Sequence, residues 1–479
     1  MNRVRLVWAA CLALAMTGLS CVTPANSADT ARKARPRTHL DRYVHAPDDA
    51  YTYTLAREMY ESGVALYVLD LTSQVWRSPH EVDQTRWRHW LSIYVPDRVS
   101  HESAMLYIGS GDTGDPPPDR MSREFSQIAR TTESVVAYLG MVPNQPLVFA
   151  GDGLSRTEDS LIAYTWDKFL RTGDENWPLR NPMTKSAVRA MDAIQEFCAS
   201  ELAGAHPIRD FVVTGASKRG WTTWLTAAVD ARVRAIAPLV IDMLNVKASF
   251  RHHWEAYGSW APAVGDYEAM GLMEWIGAPE YDRLLELVEP YSYADRYTMP
   301  KLIVNSCGDQ FFLPDSSQFY WDDLPGEKYL RYVPNTGHEL EDSDAIFTLL
   351  AFYHSIIAGI PLPQYAWDYG DGHTLTVTTS EEPVEVRFWT ATNPATRDFR
   401  IDVVGKIWES EEVEPGPGGV YTARLRTPPH GWTAQMMELT FEGPAGTPLT
   451  FTTPVTVLPE RKPFTYMLPV IRPRGFLSR

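Results

Sequence analysis

Ser217 stands where this chain could use a hydroxyl as a nucleophile, in the run Phe211-Val212-Val213-Thr214-Gly215-Ala216-Ser217-Lys218-Arg219-Gly220-Trp221. The apolar stretch before it reads as a buried strand. After it, Trp221, Trp224, Leu225, Ala228 and Val229 recur at helical spacing. A serine on the sharp turn between such a strand and helix projects its Oγ at the sheet edge, with backbone N–H groups beside it to stabilise an oxyanion. The bare G-x-S-x-x-G pattern is weak, since at roughly 7% usage of Gly and of Ser a chain this long meets it by chance about once in six or seven tries. A surface serine in an ordinary βα loop would look the same, so its partners must carry the argument.

A nucleophilic serine needs a base to take its proton and a carboxylate to orient that base. On a strand–elbow–helix scaffold both follow the serine, in the order Ser, Asp, His. Asp309 ends the predicted strand Lys301–Asn305 and is the expected acid; Asp315, placed to cap a helix, and Asp242, ending the preceding strand, are its rivals. His338 follows the predicted strand Tyr329–Val333, where Gly337 eases a sharp turn, and is favoured over His252, His253 and His354 by chain order. Oxyanion donors are expected from Lys218 N–H and from the glycine loop Ile108-Gly109-Ser110-Gly111 after an early strand. The same loop without a ligand would be a plain glycine turn. It lacks the G-x-x-x-x-G-K-[ST] of a phosphate loop, and neither H-E-x-x-H nor paired C-x-x-C suggests a metal. The expectation is a site with no cofactor and no metal.

These residues need a sheet to align them. Val64–Leu71 and Trp90–Val95 alternate like antiparallel hairpin strands; Ala104–Ile108, Leu147–Ala150, Val233–Ile241 and Lys301–Asn305 are continuous apolar runs of buried parallel type. With a helix predicted over Lys185–Leu202, the rhythm implies a doubly wound α/β sheet. Residues 243–298 interrupt it as a predicted helical cap rich in aromatics, with Trp254 and Trp260 as substrate-cleft candidates or as packing within the insert. Trp221, on the elbow helix, is a further substrate-binding candidate. Beyond Pro361, short alternating stretches, including Leu375–Thr378, Val384–Trp389, Phe399–Val403 and Thr422–Leu425, read as a β-sandwich. The expected organisation is a leader over 1–28, a linker over 29–40, an α/β domain over 41–365, a sandwich over 366–460 and a tail over 461–479.

Arg3 and Arg5 before the apolar run Leu6–Leu19 read as an export signal, its apolar run too short to span a bilayer. Cleavage near Ala28 competes with lipid attachment at Cys21, where Gly18 occupies the place of the usual leucine. The expected destination is periplasmic or extracellular. The formal charge of −16 becomes −18 without residues 1–28, which argues against nucleic acid or anionic membrane surfaces as partners. Export would permit a Cys198–Cys307 bridge, but a helix position and a strand-end position also suit two small buried side chains. No sequence signature of oligomeric state is present.

Three segments carry a family resemblance. Phe149–Trp166, with its Arg156-Thr157-Glu158-Asp159 core, the run Asn181-Pro182-Met183-Thr184-Lys185-Ser186, and the Ser217 elbow together resemble the PhoPQ-activated pathogenicity-related family, over roughly residues 39 to 460. The resemblance implies an exported α/β-hydrolase fold with Ser217, Asp309 and His338 in the triad positions, and brings no established substrate. Lys218 and Arg219 depart from the small residues usual in a hydrolase elbow. Lys218 is similar to the arginine of the glucuronoyl-esterase elbow, which suggests an acidic or sugar-linked ester. Arg156, Glu158, Asp159 and Lys185 could bind a polar substrate group, with Arg156 the candidate, or form a structural ion-pair network. The resulting expectation is a serine hydrolase acting on a small-molecule or peptide ester or amide. A prolyl-oligopeptidase-like peptidase and a catalytically silent binding or signalling protein are the alternatives.

Overall fold

The strand that ends at Ser217 lies near the middle of a nine-stranded sheet. In the computed structural model, which describes residues 37–370, 372–469 and 473–477, the sheet comprises β1 (Thr52–Glu61), β2 (Val64–Val75), β3 (Arg86–Pro96), β4 (Ser103–Ile108) and β5 (Val136–Leu139). A separate two-stranded ribbon, β6 (Leu147–Val148) and β7 (Ser155–Arg156), follows. The sheet then continues with β8 (Asp210–Ala216), β9 (Val233–Leu239), β10 (Lys301–Ser306) and β11 (Lys328–Val333). Strand order is β1-β2-β3-β5-β4-β8-β9-β10-β11. The first three strands form an antiparallel meander, and β5, β4, β8, β9, β10 and β11 are mutually parallel. The expected leader, and Cys21 within it, lie outside the described residues.

The sheet is covered on both faces, and the strands show why. Along β8, Phe211 and Val213 join the core beneath helices Glu158–Thr172, Arg180–Cys198 and Lys218–Val229, while Val212 faces the opposite core with helices Arg123–Thr132 and Ala345–Ala358. The same alternation places Leu106 on one side of β4 and Met105 on the other. Side chains of period two, apolar on both faces, permit only a sandwiched sheet. Burying each such side chain contributes roughly 1.5–3 kcal/mol.

Two elements differ from the sequence expectation. The place beside β4 is taken by β5, from the apolar run Val135-Val136-Ala137-Tyr138-Leu139, and not by Leu147–Ala150. Pro143 and Pro146 lack the N–H that a central strand must donate, and the segment after them pairs outside the main sheet, with Ser155–Arg156 and through an antiparallel bridge from Phe149 to Val82. Residues 399–403 form no strand. Phe399 is buried and the short helix Ile401–Val404 follows, its first N–H donating to Gly308 O at 2.9 Å.

The insert between β9 and β10 is helical, with helices Val246–Tyr257, Gly265–Ala269 and Pro279–Val288. The C-terminal part contains β12 (Tyr365–Asp368), β13 (Thr374–Thr379), β14 (Glu385–Asn393), β15 (Glu409–Glu412), β16 (Tyr421–Arg424), β17 (Trp432–Glu442), β18 (Pro448–Thr452) and β19 (Thr456–Leu458). They form a β12-β13-β16 sheet and a β15-β14-β17-β18 sheet, with β19 paired to β17. Leu375 and Val377 of one sheet share a core with Phe388, Leu439 and Phe451 of the other. That core also contains Tyr329 of β11, and the described residues from His39 onward form one compact unit. Cys198 and Cys307 are free and buried, so no bridge links them; burial pushes the Cys198 thiol up to about 12. Among the described residues no helix is long and apolar enough to cross a membrane.

Candidate active site

Ser217 sits between β8 and its helix with φ 56° and ψ −125°, a conformation strained for a side-chain-bearing residue. The elbow closes because its glycines allow backbone to meet backbone. A Cβ on Gly215 would lie 2.9 Å from Arg219 O, and one on Gly220 would lie 2.9 Å from Gly215 O. The serine N–H is held by Leu239 O of β9 at 2.9 Å. Lys218 opens the helix, so its N–H has no intrahelical acceptor and faces the place where an oxyanion would form.

Asp309 and His338 meet at the ends of β10 and β11. Asp309 Oδ2 lies 2.8 Å from His338 Nδ1, while Oδ1 accepts the Phe311 and Phe312 N–H groups at 2.7 and 3.3 Å. A carboxylate only accepts, which assigns the Nδ1 proton to the histidine and leaves Nε2 with its lone pair. Nε2 is buried and has no hydrogen-bond partner, so Ser217 Oγ is not bonded to it in this structure. Gln310 Oε1 accepts the His338 N–H at 2.9 Å, and the Phe311 ring lies 4.5 Å from the imidazole. Gly337 is needed for contact rather than for a left-handed turn, because a Cβ there would lie 3.0 Å from the Gln310 amide.

Ser217 and His338 line one cavity of ≈ 780 Å³, together with Gly109, Ser110, Tyr138, Glu158, Asp159, Lys218 and Arg219. A smaller recess of ≈ 40 Å³ adjoins Ser217 on the side of Trp221, Arg180 and Phe312. Of the loop donors, Gly109 N–H is already committed to Leu139 O at 2.8 Å, a correction to its expected oxyanion role. It is a glycine for another reason: a Cβ would lie 2.1 Å from the Tyr138 ring. Ser110 N–H makes no hydrogen bond among the described residues and remains the loop's available donor.

The charges beside the serine are paired. Lys218 Nζ contacts Glu158 at 2.7 Å and Asp159 at 3.1 Å, and Arg219 holds both Glu158 oxygens and Val142 O. Burial by itself would raise the Glu158 carboxyl; hydrogen bonds and charge from Arg219, then Lys218, overcome this and hold it at about 2. The Lys218 ammonium is thereby neutralised by structure, leaving its backbone N–H as the group available to a reaction.

Other expected residues lie elsewhere. Arg156 pairs with Asp152 at 2.6 Å over the Tyr164 ring, and Lys185 with Asp48 at 3.6 Å; both are structural. Trp254 and Trp260 do not line the cavity. They meet edge to face at 5.1 Å, with the Tyr466 ring of the C-terminal tail 6.4 Å from Trp254. Trp221 does reach the site, its indole N–H donating to Val288 O at 2.6 Å. The rival acids are occupied. Asp242 accepts from Tyr320 and Tyr332 at 2.6 and 2.5 Å, and burial, with neighbouring Asp309 and Asp315, raises it to about 8. Asp315 pairs with His252 at 2.8 Å and Arg397 at 2.5 Å, which accounts for both. Residues missed from the sequence are Phe311, Phe312 and Arg180. The last is a buried cation that opens its helix, one position before the Asn181-Pro182-Met183 run.

An antiparallel lead-in, a parallel sheet whose order reverses once between β5 and β4, and a serine elbow, acid and histidine after β8, β10 and β11 define an α/β-hydrolase fold. The chain belongs to the PhoPQ-activated pathogenicity-related protein family, whose model matches residues 40–400. It is 38% identical over 456 residues to autocrine proliferation repressor protein A of Dictyostelium discoideum, covering 89% of this chain and 92% of that protein. Among solved structures it is similar to acetyl xylan esterase 1 from Thermoanaerobacterium sp. JW/SL YS485, with TM-score 0.46, 15% identity, and 66% and 91% of the two chains covered. It is also similar to the Pyrococcus horikoshii acylaminoacyl peptidase, with TM-score 0.39, 11% identity, and coverage of 67% and 52%.

Proposed function

We propose that this protein is an exported serine hydrolase that cleaves an ester or amide through an acyl-enzyme. The observation that carries the reading is the cavity shared by a strained Ser217 and by a His338 whose Nδ1 is held by Asp309 and whose Nε2 is free. Ser217 Oγ attacks the carbonyl carbon and its proton passes to His338 Nε2. The oxyanion is met by the N–H groups of Lys218 and Ser110. The tetrahedral species collapses, the C–O or C–N bond breaks, and His338 returns the proton to the leaving group. Water then repeats the sequence on the acyl-enzyme, releasing the acid and restoring Ser217. A closing movement of the His338 loop brings Nε2 to Oγ, as apo sites tighten on substrate. Export rests on the leader Met1–Ala28 and its basic–apolar–small order.

The second reading is a catalytically silent extracellular signalling protein. The proliferation-repressor name of the 38%-identical relative favours it. Labelling with a fluorophosphonate separates the two: wild type is expected to be labelled and Ser217→Ala unlabelled, whereas folded wild type that stays unlabelled sinks the enzyme reading. Ester and aminoacyl-anilide panels on the labelled protein then distinguish esterase from peptidase.

A further inference from the structure

The recess beside Ser217 contains a guanidinium, that of Arg180, with no direct ion pair among the described residues. Arg180 is 2% exposed, and among the described residues no carboxylate oxygen lies within 4.0 Å of its guanidinium, Asp159 acting on it from farther away. Nη1 donates to Lys218 O at 2.8 Å and the guanidinium lies 4.4 Å over the Trp221 ring. Nε has no partner, and Nη2 makes no hydrogen bond among the described residues. The neighbouring acids are spoken for: Asp159 by Lys218 and by the Tyr267 hydroxyl at 2.9 Å, and Glu158 by Lys218 and Arg219.

The contacts to Lys218 O and the Trp221 ring use one edge and one face of the guanidinium and leave Nε unpartnered. Arg180 is the first residue of its helix, the end where the macrodipole disfavours positive charge. A buried ion without a partner is costly, and evolution tolerates such costs at sites that meet a ligand. Burial lowers Arg180 to about 10, which leaves it charged at neutral pH. Trp166, Phe250, Val264 and Phe312 give the recess apolar walls, and Asp159, Lys218 and Tyr267 line it as well, with Asp159 held by the other two.

The two cavities divide a substrate between them. His338 must hand its proton to the leaving group, and His338 lines the large cavity but not the recess. The recess therefore lies on the acyl side. At roughly 10–15 Å³ for each water-sized volume it has room for about three such volumes, the size of one carboxylate.

We propose that Arg180 receives a carboxylate at the end of a short acyl chain, so that the substrates are esters or amides of dicarboxylic type, hydrolysed at one carbonyl and anchored by the other. The proposal rests on the hydrolase reading above. Nε and Nη2, without partners among the described residues, are the planar fork that a carboxylate accepts in bidentate fashion, and Arg180 with Lys218 outweighs the single Asp159 charge in the recess.

The test uses two esters of 4-methylumbelliferone, the hemisuccinate and the 4-methylpentanoate, which differ only in a terminal carboxylate against an isopropyl group of the same shape. Wild type is expected to prefer the hemisuccinate at least tenfold in kcat/KM. Arg180→Gln is expected to lose about 10- to 100-fold on the hemisuccinate while staying within about threefold on the neutral ester. Arg180→Lys should recover part of the loss. Melting temperature and fluorophosphonate labelling of the variants check the fold and the nucleophile. Equal or better turnover of the neutral ester by wild type overturns the proposal, as does an Arg180→Gln variant that slows both esters alike. If Arg180→Gln fails to fold, the wild-type ratio alone decides. Wild type that takes the fluorophosphonate but shows no charge preference defeats this inference only. Wild type that is never labelled defeats the hydrolase reading beneath it.

Discussion

At the scale of single residues, the site depends on which charges are engaged and which are free. Asp309 fixes the proton of His338 on Nδ1, so Asp309→Asn should lower kcat on any ester the wild type cleaves by about 10⁴-fold, with the melting temperature little changed. A loss below about tenfold would remove Asp309 from the triad position. Glu158 bridges Lys218 and Arg219 beside Ser217. Its carboxyl is held at about 2 in the folded protein against about 4.5 when unfolded, so its contribution is complete above about pH 4.5 and lost as pH falls toward 2. Glu158→Gln should cost about 1–2 kcal/mol at pH 7, a moderate figure because the carboxylate is partly solvated, and the gap to wild type should shrink on acidification. Melting curves taken across that pH range read the gap; one that stays constant would contradict the assignment. The triad candidates were legible from chain order and strand ends. The state of Lys218 was not, because its partners lie about sixty residues upstream and only packing brings them alongside.

At the scale of elements, close approaches dictate the residues. Gly109→Ala would drive a methyl group into the Tyr138 ring, and overpacking of this kind typically costs about 1–3 kcal/mol. Tyr138→Ala in the same chain should restore most of that loss, because the two positions are in contact. Thermal unfolding of the two single variants and the double variant measures the coupling, and strict additivity would show the contact to be unimportant. Strand alternation was readable wherever a run was long and apolar, as in β4, β8, β10 and β11. Leu147–Ala150 misled because periodicity does not register that Pro143 and Pro146 withhold donors from a ladder. Phe399–Val403 alternates, yet the chain there turns into a helix that buries Phe399 and meets the Asp309 loop through the Ile401 N–H.

At the scale of the whole molecule, the C-terminal sheets belong to the same folding unit as the site. Tyr332 N–H donates to Thr452 Oγ1 at 3.0 Å, and Phe451 stacks on Tyr329 at 4.7 Å and on Tyr365 at 5.6 Å. Ile401 lies against Gly308, one residue before the acid. A chain ended at residue 365 would expose that core and lose the support of the Asp309 loop. It should express insolubly or unfold without cooperativity, whereas the full chain should show one calorimetric transition. A soluble, fluorophosphonate-reactive truncated chain would refute this. The sequence by itself determined the order of elements and the three residues at the ends of their strands, because those depend on periodicity and turn chemistry, which are local. Only the tertiary structure decided that the cap aromatics Trp254 and Trp260 turn away from the cavity, that Gly109 N–H is already bonded, and that Arg180 lines the recess beside Ser217 without a direct ion pair among the described residues. Each of these depends on which distant groups share a few ångströms of space, and no spacing along the chain encodes that.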